Sequence, residues 1–152
     1  PRGPPPRQPR SGGETQLCVV ALNQADGKEL WVTPIAADYT HDRGDGPRST
    51  PTADGELLFI VSPQGDVVCL RTGDGSEVWR RNLQRDFGGR MMSGWGYSES
   101  PLVDGEKLIC TPGGEKNTLV ALNKLSGDVI WKTDRAGNRV CICAWPDGSA
   151  RG

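Results

Sequence analysis

The chain has 152 residues, a formal net charge of -1, 21 glycines and 12 prolines. A length of this order fits one domain, and near-neutral charge excludes bulk electrostatic attraction to nucleic acid or to an anionic membrane. No run approaches the roughly 18 apolar residues of a membrane-spanning helix, and this much Gly and Pro predicts many short elements divided by turns.

In chain order, residues 1–16 begin PRGPPPRQPR. The segment has no apolar stretch of the kind a signal peptide carries, and its composition predicts disorder or, in part, polyproline II. A PxxP ligand or an RNA-binding arm is the weaker reading of so short an end. Residues 17–34 contain the run LCVVAL, a turn at Asp26-Gly27 and the run ELWVT, and read as the last half of a four-stranded unit. Residues 36–48 form a loop. Residues 48–83 read as a complete unit, with strands at 50–53, 57–62, 66–71 and 77–82. Asp54-Gly55, Gln64-Gly65 and the Gly-rich 72–75 segment divide them, because Gly accepts positive φ at no steric cost. Residues 85–98 are a second loop, ending in SGWGYS. Residues 98–134 repeat the unit, with strands at 101–103, 107–111, 118–123 and 128–133 and turns at Asp104-Gly105, Gly113-Gly114 and Ser126-Gly127. Residues 135–152 lack the next Ser-Pro landmark and read as a non-repeat tail.

Two landmarks establish the repeat. Trp31, Trp79 and Trp131 are spaced 48 and 52 residues apart, each closing a stretch like Val20-Ala21-Leu22-Asn23 with its Gly four residues before the Trp. Thr50-Pro51 and Ser100-Pro101, each followed by Asp-Gly, are 50 residues apart. Four-stranded meanders repeating at about 40–50 residues predict β-propeller blades. The predicted fold is therefore all-β: a partial β-propeller of antiparallel four-stranded blades, about two and a half in number. A single blade must stack on neighbours to cover its faces. A Trp at one fixed place per blade suits that task, because burying it removes about 150–250 Å² from water, at most roughly 4–6 kcal/mol.

The string A-L-N-x-x-x-G-x-x-x-W, at residues 21–31 and 121–131, resembles the tryptophan-docking motif of pyrroloquinoline quinone (PQQ)-type β-propeller repeats. The family pattern is near A-x-D-x-x-T-G-x-x-x-W. Here Asn23 and Asn123 replace the Asp, Asp26 and Ser126 stand where Thr is usual, and the middle copy has Cys69 and Arg71 for the Ala and Asp. The S-P-x-x-D-G string is similar too, and the resemblance covers residues 17–134. It makes Ala21, Gly27, Trp31, Gly75, Trp79, Ala121, Gly127 and Trp131 the blade-docking positions. The family contains quinoprotein dehydrogenases, which bind PQQ and calcium, and the cofactor-free propeller lipoprotein of the outer-membrane β-barrel assembly machine. The segment at 94–101 is most similar to exported bacterial members of unassigned role.

The resemblance implies a non-catalytic interaction scaffold belonging to an exported parent of the periplasm or cell envelope, with the remaining blades and an unknown protein as partners. Arg85, Arg90, Trp95 and Tyr97, residue types enriched at binding hot spots, mark the 85–98 loop for that role. The alternative is a fragment of a PQQ-dependent alcohol or sugar dehydrogenase. No adjacent Cys-Cys pair and no matching catalytic Asp is found, so no catalytic, cofactor or metal residue is assigned; PQQ and calcium would belong to the parent. An open stack leaves an unpaired face at each end, so the chain reads as a segment of a larger protein.

Other motifs have bland readings. Cys18, Cys69 and Cys110 lie in apolar runs and read as small buried hydrophobes. Cys141 and Cys143 form a C-x-C without zinc or redox spacing. With His41 the only histidine, no Ser-His-Asp or Cys-His set is available. Arg43-Gly44-Asp45 reads as a turn. Asp38, His41, Asp42 and Asp45 could offer oxygen ligands to a cation, but not at EF-hand spacing. The Gly-rich turns are followed by no helix pattern and do not read as phosphate loops.

Overall fold

The computed structural model describes residues 16–42, 44–91 and 94–133. The Pro/Arg-rich first fifteen residues, the 135–152 tail with its C-x-C, and Arg43 lie outside the described residues. Among the described residues, three antiparallel sheets follow one another along the chain. The first pairs β1 (Gln16–Leu22) with β2 (Glu29–Ala37). The second runs β3 (Thr52–Asp54), β4 (Leu57–Val61), β5 (Asp66–Arg71) and β6 (Glu77–Asn82) in sequence order. After a short helix, α1 (Leu83–Phe87), the third repeats that order with β7 (Leu102–Asp104), β8 (Lys107–Cys110), β9 (Val120–Asn123) and β10 (Val129–Lys132). The result is a half blade followed by two complete blades.

Stacking explains the continuous apolar runs. β4 (LLFIV) and the VVCL of β5 do not alternate with polar residues, because their sheet is covered on both faces. Ile60, Val68 and Leu70 pack toward the first sheet with Leu17, Val19 and Ile35. Phe59, Val61, Val67, Cys69 and Trp79 pack toward the third with Leu108, Cys110, Val120 and Leu122. Successive residues of one strand point to opposite faces, so each central strand serves two cores.

The turns sit one residue later than expected. Asp54 pairs with Leu57 and Asp104 with Lys107, so the hairpin turns are Gly55-Glu56 and Gly105-Glu106, not the Asp-Gly pairs. Gly55 at φ 58 and Gly105 at φ 59 take the left-handed first position. β2 runs on to Ala37, past the expected end at residue 34.

Helix α1 was not foreseen in the 85–98 loop. The Asn82 side chain caps it, accepting from the backbone N–H of Gln84 at 3.1 Å and Arg85 at 2.9 Å. Asp86 reaches back to accept from the Asn82 N–H at 2.8 Å. Gly88 at φ 64 ends the helix. The signal was present in NLQRDFGG as a capping Asn, an acidic residue four positions later and a terminal Gly. A helix this short gives no apolar periodicity, and its anchors Leu83 and Phe87 are buried only through tertiary contact.

Candidate functional site

The turn before each tryptophan is built the same way. Gly27, Gly75 and Gly127 have φ of 70, 70 and 73. Each donates its N–H to the carbonyl four residues back, on Asn23, Arg71 and Asn123, at 2.8, 2.9 and 2.8 Å. Asn23 and Asn123 also accept through Oδ1 from Ala25 N–H at 2.8 Å and Leu125 N–H at 2.9 Å. The residue before the Gly accepts from the N–H after it: Asp26 from Lys28, Asp74 from Ser76, Ser126 from Asp128. That geometry needs only a short side-chain oxygen, which explains why Asp and Ser serve where Thr is usual.

The indole of one blade lies on the Gly of the next. Trp31 donates Nε1–H to the Thr72 carbonyl at 3.0 Å, and a Cβ at Gly75 would fall 2.4 Å from its ring. Trp79 donates to the Lys124 carbonyl at 2.9 Å, and a Cβ at Gly127 would fall 2.8 Å from its ring. The residue two beyond each Trp donates to the same Gly: Thr33 Oγ1 to Gly75 O at 2.7 Å, and Arg81 Nε to Gly127 O at 2.8 Å. Ala21, Cys69 and Ala121 face Trp31, Trp79 and Trp131 across the strand pair, small side chains that leave room for an indole. Around the Ser-Pro landmark, Ser100 Oγ accepts from Thr50 N–H at 2.9 Å, and Lys124 pairs with Asp54. Among the described residues, a Cβ at Gly27 would meet nothing within 4 Å, and Trp131 is 38% exposed.

The 36–48 and 85–98 loops meet. From the first, the His41 ring stacks on Trp95 of the second with centroids 5.4 Å apart, and on Tyr39 at 6.4 Å. Arg48 lies over both Tyr39 and Trp95 at 5.7 Å. Tyr39 donates its hydroxyl to Gly94 O at 3.2 Å, and the β4–β5 turn ties in through Gln64 Nε2 to Ala37 O at 2.9 Å. Sequence reasoning singled out Trp95 but not Tyr39 or Arg48 as its companions, since their meeting spans about half the described chain.

Tyr97 is a correction. It is 5% exposed, packs in the core beside Leu83 and Phe87, and donates its hydroxyl to Pro112 O at 2.9 Å. It is a strut under the loop and not a surface contact, because Gly65 and Gly89 leave it room: a Cβ at Gly65 would fall 2.7 Å from its ring and one at Gly89 2.7 Å from its hydroxyl. Tyr97→Phe should therefore destabilise by about 1–2 kcal/mol through the unpaired Pro112 carbonyl, read from the urea midpoint. Arg85 is exposed on α1 and paired with Asp86. Arg90 is exposed on the rim of an open depression with Phe87, Glu115, Lys116 and Asn117.

Cys69 and Cys110 are buried, whereas Cys18 is exposed, contrary to the reading of all three as buried. Strand alternation puts Cys18 on the uncovered face of the first sheet. Burial pushes the Cys69 thiol up to about 11 and the Tyr97 hydroxyl to about 12; burial, then the charge of Glu99, pushes Cys110 to about 12. These groups bind their protons more tightly folded than unfolded. Their contribution is complete below the ordinary thiol value near 9.0 and is lost as pH rises toward 12. Alkaline unfolding in that window, followed by circular dichroism, should coincide with the first labelling of Cys69 and Cys110 by a thiol reagent. Cys18 should label in the native state.

Asp38 and Asp45 accept from Tyr39 N–H and His41 N–H within the first loop. Among the described residues, no three His, Cys, Asp or Glu side chains come together as a metal site. No described helix is long and apolar enough to cross a membrane.

The family model described as "Outer membrane protein assembly factor BamB" matches residues 17–144. BamB of Vibrio cholerae is 30% identical over 118 residues, covering 75% of this chain and 28% of that protein. Among solved structures, BamB from Moraxella catarrhalis overlays with a TM-score of 0.50 at 22% identity, over 76% of this chain and 30% of that one. Quinohemoprotein alcohol dehydrogenase from Comamonas testosteroni overlays with a TM-score of 0.57 at 19% identity, over 77% and 18%. At such identities the two structural likenesses establish the fold alone. The chain spans under a third of the length of each of these relatives. With the repeat, the docking turns and the match over most of its length, the chain belongs to the BamB-like family of PQQ-type β-propeller repeats.

Proposed function

We propose that this chain is a non-catalytic blade segment of an exported β-propeller that acts as a protein-interaction scaffold in the cell envelope. Its blades are locked by the Trp31–Gly75 and Trp79–Gly127 contacts. One rim, where the 36–48 and 85–98 loops meet, presents a binding surface. The observation that carries this reading is the Tyr39, His41, Arg48 and Trp95 cluster, which joins loops of two successive blades. Arg and aromatic side chains held in place by one another lose little entropy on binding, which suits a hot spot. The family match supports a protein-assembly role over a catalytic one, and Arg90 extends the surface along the second loop.

The test is site-specific photo-crosslinking in the envelope of an expressing cell. A photoreactive residue at Arg90 should capture a defined protein, and Arg48→Ala with Trp95→Ala should abolish capture while leaving the circular dichroism unchanged. A photoreactive residue at Lys28, outside both loops, should capture nothing. Unchanged capture in the double variant would overturn the reading. Saturable PQQ binding in the presence of calcium would instead favour the dehydrogenase alternative.

A further inference from the structure

The start of the 85–98 loop hangs on one carboxylate. Asp66, the first residue of β5, accepts through Oδ1 from Asn82 Nδ2 at 3.0 Å and through Oδ2 from Ser62 Oγ at 3.2 Å. Ser62 is fully buried, and its Oγ accepts in turn from the Asp66 N–H at 3.0 Å. These bonds leave the Asn82 amide one way to face. Its Nδ2 is spent on Asp66, so its Oδ1 meets the first N–H groups of α1 and accepts from Gln84 and Arg85. Beside it, Leu83 donates its N–H to Gly65 O at 2.8 Å. The order passes along the loop from there. Gly89 N–H bonds to Leu83 O at 2.9 Å, Asn117 Nδ2 to Phe87 O at 3.0 Å, and Arg90 N–H to Gly113 O at 3.0 Å.

We propose that Asp66 is the positioning residue of the interaction loop. It touches no partner and acts through Asn82, whose amide it orients to cap α1, and so it sets where Arg90 and the chain leading to Trp95 leave the blade. The proposal rests on reading the 85–98 loop as a binding rim. The pair needs one carboxylate and one neutral donor. Asn and Asp cap helices about equally well in general, but here they are not interchangeable. An Asp at position 82 would set a second carboxylate against Asp66 where an amide now donates at 3.0 Å, losing a charge-assisted bond and adding repulsion. In the next repeat the same two places hold Thr118 and Asp134, again one carboxylate and one neutral donor, with the roles exchanged.

The experiment is native-state trypsin cleavage after Arg90, an exposed residue of the loop, on the full 152-residue chain with the fragments read by mass spectrometry. Cleavage of a folded protein reports local opening of the segment cut. Asp66→Ala and Asn82→Asp should each speed cleavage after Arg90 about tenfold or more, the scale of one hydrogen bond to a charged group. The exchanged pair, Asp66→Asn with Asn82→Asp, restores one carboxylate and one amide and should be cut at close to the wild-type rate. Leu70→Ala lowers global stability from the other face of the sheet and should leave this cleavage unchanged. An Asp66→Ala chain cut at the wild-type rate, an exchanged pair cut as fast as Asn82→Asp alone, or equal acceleration by Leu70→Ala would overturn the proposal. Failure of the binding-rim reading would appear separately, in the photo-crosslinking at Arg90, because cleavage needs no partner.

Discussion

Trp79→Ala should lower the unfolding free energy by about 3–5 kcal/mol, the range for truncating a buried aromatic, read as a fall in the urea midpoint at constant slope. The indole is 9% exposed, packs on Phe59 at a centroid distance of 6.1 Å, and holds its N–H on the Lys124 carbonyl. The sharper result is its coupling to Gly127. Alanine there has two costs: a left-handed backbone at φ 73, about 1–2 kcal/mol for a residue with a Cβ, and a Cβ 2.8 Å from the Trp79 ring. With Trp79 already alanine, only the backbone cost should remain. The double variant should therefore be less destabilised than the sum of the singles, by about 0.5–3 kcal/mol. Additive effects would mean that indole and glycine do not bear on one another, and the docking assignment would fail.

The second large effect compares two leucines with the same place in the repeat. Leu70→Ala should destabilise by about 2–5 kcal/mol, because its side chain is fully buried between the first and second sheets. Leu22→Ala should change stability by no more than about 0.5 kcal/mol, because Leu22 stands on the uncovered face of the first sheet. Both are read from urea unfolding at a concentration where the chain is monomeric. Equal costs would mean that the first sheet is covered in solution, and the open-face description would be wrong.

These contrasts show how sequence and tertiary structure divide the information. The all-β repeat of antiparallel strands, with those at 66–71 and 77–82, was legible, because turn chemistry and strand pattern are local. Asp26, Asp74 or Ser126 followed by a Gly at φ near 70 makes the same turn in each repeat. The register of the Asp-Gly hairpins was misjudged by one residue, since Asp can end a strand as readily as it can open a turn. Helix α1 was missed because five residues are too few to show a period.

Of the candidate interaction residues, Trp95 and Arg90 were legible as a loop aromatic and a loop cation. Nothing local separated Trp95 from Tyr97, two residues away. The Pro112 carbonyl and the core beneath Gly65 draw Tyr97 inward, while His41 and Arg48 hold Trp95 at the rim. By itself the sequence determined that this chain makes repeated four-stranded antiparallel blades. Only the tertiary structure decided which faces those blades cover, that Tyr97 is a strut, that the two loops share one cluster, and that Trp131 and Gly27 face outward. The reason is that a residue's burial depends on what packs against it, and that neighbour comes from 41 or 45 residues away along the chain.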